Sequence, residues 1–132
     1  MEDDVWKHGR FFWNELMTRD ATAACRFYAE MLGWQYQKMT TPDGHHYWLA
    51  LVDEQPAAGI MDMTASEHLA ELPPHRFSYI SVNDIDDRLT NLSDHGGILL
   101  RPPFDVDDVG RFAVIQDPSG GVVGWITPSN NA

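Results

Sequence analysis

The sequence repeats itself at a spacing of 64 residues, and this internal repeat constrains the fold more than any other feature. Displacing the chain by that spacing places Asp20 on Asp84 and Gly33 on Gly97. Self-similarity at a fixed spacing indicates a structural unit that occurs twice and buries its apolar face against its copy. We therefore predict one domain over 1–132, with pseudo-repeats at about 9–63 and 75–128 and a linker at 64–74.

Each half shows the same order of local signals. An apolar strand is followed by an aspartate (Asp20 or Asp84) that can accept the free N–H groups of a helix's first turn. Apolar residues at helical spacing follow, and glycine (Gly33, or the pair Gly96-Gly97) ends the helix. Three short strands complete each half. The predicted fold class is α+β: two βαβββ modules in tandem, forming a cupped, barrel-like mixed sheet with the helices outside.

Composition excludes several functions. Lys and Arg total 9 against 20 Asp and Glu, so the net charge is 9 − 20 = −11, which disfavours nucleic acid as a partner. No apolar run reaches the roughly 18–20 residues of a membrane-spanning helix, so no membrane association is expected. The acidic start of the sequence is unlike a secretory signal, and the single cysteine, Cys25, fits a reducing compartment. We expect a cytoplasmic protein.

Short motifs in a fixed order carry a family resemblance over about 9–127. They are Asn14-Glu15-Leu16, Thr18-Arg19-Asp20, Phe27-Tyr28, Leu32-Gly33-Trp34, Gly59-Ile60-Met61, Val82-Asn83-Asp84, Arg101-Pro102-Pro103-Phe104, Gly110-Arg111-Phe112-Ala113-Val114, and Asp117-Pro118 with Gly124. Together with the repeat, these motifs resemble the vicinal oxygen chelate superfamily of glyoxalase I, bleomycin-resistance proteins and extradiol dioxygenases. The chain looks closest to glyoxalase-like members without an assigned activity.

The resemblance implies four positions that hold a divalent metal through His, Glu or Gln, two in each half. In this sequence they fall on Trp13, Ile60, Phe77 and Gly124. None of these side chains is a metal ligand, and a transition-metal site needs three or four N, O or S donors. We therefore predict no metal and no other cofactor at this site.

The same positions define a predicted ligand-binding surface. Alternation along a strand places every second side chain on one face, so Glu15 and Met17 share the face of Trp13. Glu15 is the candidate catalytic residue, as a general base; its alternative role is an ion pair with an arginine such as Arg10, Arg101 or Arg111. The predicted ligand-binding residues are Trp13, Glu15, Met17, Ile60, Asp62, Phe77, Tyr79, Phe104 and Gly124.

Three functions are compatible with this sequence. The first is binding of a small aromatic or cationic molecule in the aromatic-lined cup, without a metal, as in the bleomycin-resistance type. The second is a lyase, isomerase or dioxygenase of the superfamily that uses a metal or Glu15. The third is an interaction protein with a vestigial pocket. A homodimer is expected, since Trp6, Trp34 and Trp125 offer apolar area for a partner.

Overall fold

The computed structural model describes residues 6–41, 44–64 and 72–129. Its elements are β1 (Phe11–Thr18), α1 (Ala21–Leu32), β2 (Gln35–Thr40), β3 (His46–Val52), β4 (Gln55–Asp62), β5 (His75–Ser81), α2 (Ile85–Leu89), a 3-10 turn (Ser93–His95), β6 (Ile98–Val106), β7 (Gly110–Gln116) and β8 (Val122–Pro128). Contacts divide the chain into two units. We call residues 14–77 the first-repeat unit, and 1–13 with 78–132 the second-repeat unit.

The first-repeat unit contains a mixed sheet in the order β2-β3-β4-β1. β1 and β4 are parallel, whereas β2–β3 and β3–β4 are antiparallel. The predicted helix signals are confirmed: the Asp20 side chain accepts from the Ala23 N–H, and Gly33 ends α1 with a left-handed φ of 75°.

One face of this sheet is covered by α1. The Tyr36 hydroxyl donates to the Cys25 carbonyl of α1 at 2.8 Å, and Tyr36 is the cross-strand partner of Ala50. Ala50 and Ile60, which point to the same side, are both fully buried. The core of the unit therefore lies between this face and α1, and the other face, which we call the face opposite α1, is left for other contacts.

The second-repeat unit has the corresponding order β5-β8-β7-β6. β5 and β8 are parallel, and the remaining pairs are antiparallel. Val82, Ile85 of α2 and Ala113 form a buried cluster against which Ile80, Leu89 and Trp125 pack. We call the other side of this sheet the face opposite α2.

The hairpins that close the two units differ in length. β3 and β4 are joined by Asp53 and Glu54, both with positive φ, and their ladder shifts register at Ala50/Leu51. β7 and β8 are joined by residues 117–121, and the Asp117 carboxylate accepts from backbone N–H groups inside this loop. The two repeats therefore do not keep one constant offset through their last strands.

The α+β class and the two βαβββ modules predicted from the sequence are confirmed. The second helix is shorter than the apolar spacing indicated: α2 ends at Leu89, and a 3-10 turn follows before Gly96. Most of the linker predicted at 64–74 lies outside the described residues. Trp6, Trp34 and Trp125 are each half-buried, so they offer less surface to a partner than expected. No helix in the described ranges could span a bilayer.

Candidate functional site

Glu15 lies on the face opposite α1, and its side chain is covered. The residue is 5% exposed, and its carboxyl group accepts a hydrogen bond of 2.8 Å from the Tyr47 hydroxyl. Glu15 is on β1 and Tyr47 on β3, and β4 runs between these strands. The carboxyl–phenol pair thus bridges three strands.

Gly59 makes this bridge possible. It is the cross-strand partner of Glu15, and a Cβ built on it would overlap the Tyr47 hydroxyl. A glycine inside a strand commonly marks such a close approach. The Tyr47 side chain lies over Gly59, where no side chain blocks it, and so reaches the buried carboxyl group of Glu15. The sequence analysis did not identify this partner.

The ladder corrects the expected positions of Ile60 and Asp62. Cross-strand partners share a face, and Ile60 is paired with Leu16, whereas Glu15 is paired with Gly59. Ile60 is 0% exposed and lies on the α1 side. Asp62, paired with Thr18, lies on that side too, and a hydrogen bond from the Thr64 hydroxyl lowers the pKa of its carboxyl group. Neither residue shares a surface with Glu15.

The cause of this error is the unequal hairpins. Glu15 and Tyr79 correspond at an offset of 79 − 15 = 64, but their partners Gly59 and Gly124 correspond at 124 − 59 = 65. A one-residue change of register moves every side chain of a strand to the other face. The residue equivalent to Gly124 is therefore Gly59 and not Ile60.

The other predicted residues of β1 and β5 occupy alternate positions along the strands of Glu15 and Tyr79. Met17 is buried and alternates with Glu15, so it lies on the face opposite α1. Trp13 is half-buried in β1 and alternates with Glu15 along the same strand. Phe77 is half-buried in β5 and alternates with Tyr79.

An aromatic cluster, formed by Tyr79, Phe104 and Phe112, lies on the face opposite α2. Phe112 meets Tyr79 edge to face, with ring centroids 5.4 Å apart, and Phe104 stacks on Phe112 at 5.5 Å and 16°. All three rings are half-buried. Gly124, the cross-strand partner of Tyr79, has the same orientation. The structure thus brings together the predicted residues Tyr79, Phe104 and Gly124 and adds Phe112.

Arg101 extends this cluster. Its Cζ atom lies 3.8 Å from the centroid of the Phe104 ring. Arg111, in contrast, binds Asp86 at 2.8 Å and Asp105 at 3.1 Å. Both arginines had been alternative partners for Glu15, and the structure shows these other contacts for them.

The residues at the expected metal positions do not fit a metal. The side chains of Trp13, Phe77 and Gly124 supply no ligand atom. The register places Gly59 at the position expected for Ile60, and a glycine has no side chain to bind a metal. Within 6–41, 44–64 and 72–129, no group of three or more His, Cys, Asp or Glu could hold a metal ion.

Two comparisons with solved structures show the fold. A hypothetical protein, BH1468, from Bacillus halodurans C-125 has a TM-score of 0.74 at 12% identity, over 96% of this chain and 99% of that one. Methylmalonyl-CoA epimerase from Mycobacterium tuberculosis has a TM-score of 0.66 at 18% identity, over 98% and 96%. At these identities the likeness concerns the fold alone.

Sequence comparisons identify the family. CFP32 of Mycobacterium tuberculosis (strain CDC 1551 / Oshkosh), provisionally named a glyoxylase, is 33% identical over 120 residues, which are 90% of this chain and 46% of the relative. The anthracycline biosynthesis protein DauV of Streptomyces sp. (strain C5) is 27% identical over 123 residues, 82% of this chain and 43% of DauV. The chain spans about half the length of these relatives. A family model matches residues 10–123, and the chain belongs to the Glyoxalase/Bleomycin resistance protein/Dioxygenase superfamily.

Proposed function

We propose that the protein binds a planar aromatic small molecule on the face opposite α2, without a metal ion. The observation that carries this proposal is the aromatic cluster of Tyr79, Phe104 and Phe112, whose rings are ordered against one another but only half-buried. A ring in this state keeps apolar area that a ligand can cover, and offset or edge-to-face contacts orient an added ring.

Two further points support an aromatic ligand. Small-molecule sites are largely apolar with a few polar groups, and the Tyr79 hydroxyl and the Arg101 guanidinium are such groups beside the cluster. The relative DauV is named for anthracycline biosynthesis, and anthracyclines contain a planar anthraquinone ring system. The absence of ligand atoms at the expected metal positions is the reason to propose binding without a metal.

Binding of 2-(hydroxymethyl)anthraquinone tests this proposal, with cyclohexylmethanol as the non-aromatic comparison and calorimetry as the readout. We expect saturable binding of the anthraquinone alone, with the same affinity in EDTA and with added Zn²⁺. Phe112→Leu should weaken binding by about fivefold, since it removes one ring contact of about 1 kcal/mol. Phe27→Leu is the matched control, because Phe27 is exposed on α1. Binding that requires Zn²⁺, or no binding at all, would overturn the proposal.

A second candidate function is proton abstraction by Glu15. The observation that favours it is the buried Glu15 carboxyl group, to which the Tyr47 hydroxyl donates at 2.8 Å, so that a candidate base has a phenol holding it in place. Such a pair suits removal of a proton next to a carbonyl group, the chemistry of an isomerase or lyase. Several structural neighbours are methylmalonyl-CoA epimerases, whose named substrate carries such a proton.

Deuterium incorporation into methylmalonyl-CoA in D₂O tests the second candidate by mass spectrometry. A base at Glu15 should produce exchange that Glu15→Gln abolishes, because the amide cannot accept the proton. Asp62→Asn is the matched control: Asp62 is a carboxylate on the opposite face of the same sheet. Exchange no faster than in buffer, or equal exchange in the Glu15 variant, excludes this role with this substrate.

A further inference from the structure

We propose that the aromatic ligand carries a carboxylate and that Arg101 binds it. This inference rests on the proposed function, and it differs from the expectation of an aromatic or cationic ligand. The local geometry around Phe104 supports it.

A bulge in β6 places Arg101 beside Phe104. Residues three apart in a regular strand point to opposite faces. Here Arg101 is paired with Val114 and Phe104 with Phe112, so three steps along β6 match two along β7. Pro102 and Pro103 occupy the irregular stretch, where a residue without an N–H group is tolerated. As a result, Arg101 and Phe104 point to the same side.

The charge of Arg101 is available to a ligand. Its guanidinium lies against the Phe104 ring, and it makes no hydrogen bond or ion pair with another residue of the described ranges. The ring contact restricts the guanidinium and leaves its N–H groups free to bind an anion. A planar guanidinium with parallel donors matches a carboxylate better than it matches a neutral or cationic group.

The other charges nearby do not compete for this position. Asp105, the neighbour of Phe104, binds Arg111 at 3.1 Å, and Arg111 also binds Asp86 of α2. The guanidinium of Arg111 is thus used on the α2 side of the sheet. Arg101 therefore shares the face of the aromatic cluster, whereas Asp105 and Asp86 are engaged with Arg111.

Three anthraquinones with 2-substituents of similar size and different charge test the inference. They are anthraquinone-2-carboxylate, 2-(hydroxymethyl)anthraquinone and 2-(aminomethyl)anthraquinone, with Kd measured by calorimetry at constant ionic strength. The unaltered protein should bind the carboxylate about tenfold more tightly than the alcohol, as one charge-assisted contact predicts. The amine should bind no more tightly than the alcohol, although the chain has a net charge of −11.

Variants separate the contact from the overall charge. Arg101→Gln should abolish the preference for the carboxylate over the alcohol, and Arg101→Lys should restore only part of that preference, because an ammonium group lacks the parallel donors. Arg26→Gln, which removes the same charge from an exposed position on α1, should change nothing. Equal loss in the Arg26 and Arg101 variants, or tightest binding of the amine, would refute the role of Arg101 while leaving aromatic binding in place. If none of the three compounds binds, the proposed function fails with it.

Discussion

Replacing Gly59 by alanine should break the bridge between Tyr47 and Glu15. A Cβ at position 59 would lie 2.9 Å from Cε2 of Tyr47 and would overlap its hydroxyl group. Because both ring and hydroxyl are involved, the tyrosine has to leave its position. The carboxyl group of Glu15, only 5% exposed, then loses the donor that lies 2.8 Å away.

The expected cost follows from these contacts. Losing a hydrogen bond to a buried acidic group destabilises a protein by about 1.5–3 kcal/mol. Forcing the tyrosine off its rotamer costs about 1 kcal/mol more. Alanine has less conformational freedom than glycine in the unfolded chain, and this difference offsets the cost by about 0.5–1 kcal/mol. The free energy of unfolding should fall by about 2.5 kcal/mol.

A double-mutant cycle in urea tests this reasoning. Tyr47→Leu removes the atoms that an alanine at position 59 would meet. In that background Gly59→Ala should be neutral or slightly stabilising, which gives a coupling free energy of about 3 kcal/mol between the two positions. If Gly59→Ala has the same cost in both backgrounds, the tyrosine is not the reason for the glycine.

Four further expectations can be checked with simple assays. Ile60→Val should lower the free energy of unfolding in urea by about 1 kcal/mol, because Ile60 is buried on the α1 side of the sheet; an unchanged stability would contradict that placement. The hydrogen bond from the Ser119 hydroxyl, and then those from backbone N–H groups, lower the pKa of Asp117. The stabilisation from these bonds is complete above the pKa of the unfolded carboxyl group, about 4, and is lost as pH falls through the lower pKa of the folded state. Ser119→Ala should therefore lower Tm at neutral pH by an amount that shrinks toward about pH 3, and a constant difference would refute this origin. Burial raises the pKa of Cys25, so iodoacetamide should react more slowly with the native thiol than with the urea-unfolded one; equal rates would show that the thiol is accessible and unshifted. A homodimer should give a light-scattering mass near twice 15.0 kDa, and a mass of one chain would exclude it.

The signals that predicted the fold act over a few residues. Asp20 and Asp84 cap the helices as their positions indicated, because a carboxylate accepts N–H groups only three residues away. Gly33 takes the left-handed conformation that a helix end requires. Such interactions depend on neighbours in the sequence, so the sequence pattern was sufficient to locate them.

The parts of the candidate site that were missed depend on pairing between strands. Tyr47 is 32 residues from Glu15, and only the ladder through Gly59 brings them together. Ile60 was assigned to the wrong face because hairpin lengths fix the register and differ between the repeats. The glycine at position 59, inside an apolar run, was the available signal for the close approach.

The two prolines of β6 also determine where a further strand could pair with this edge strand. Within the described sheet, β6 has one neighbouring strand, β7, so its outer edge is open to solvent or to a further chain. Pro102 and Pro103 have no amide hydrogen to donate there, which discourages an added strand along that stretch. Ile98, Leu99 and Leu100 keep their amides and are 54%, 43% and 49% exposed. Self-association at high concentration should therefore start at this apolar end of the strand, and a lysine at position 99 should suppress it.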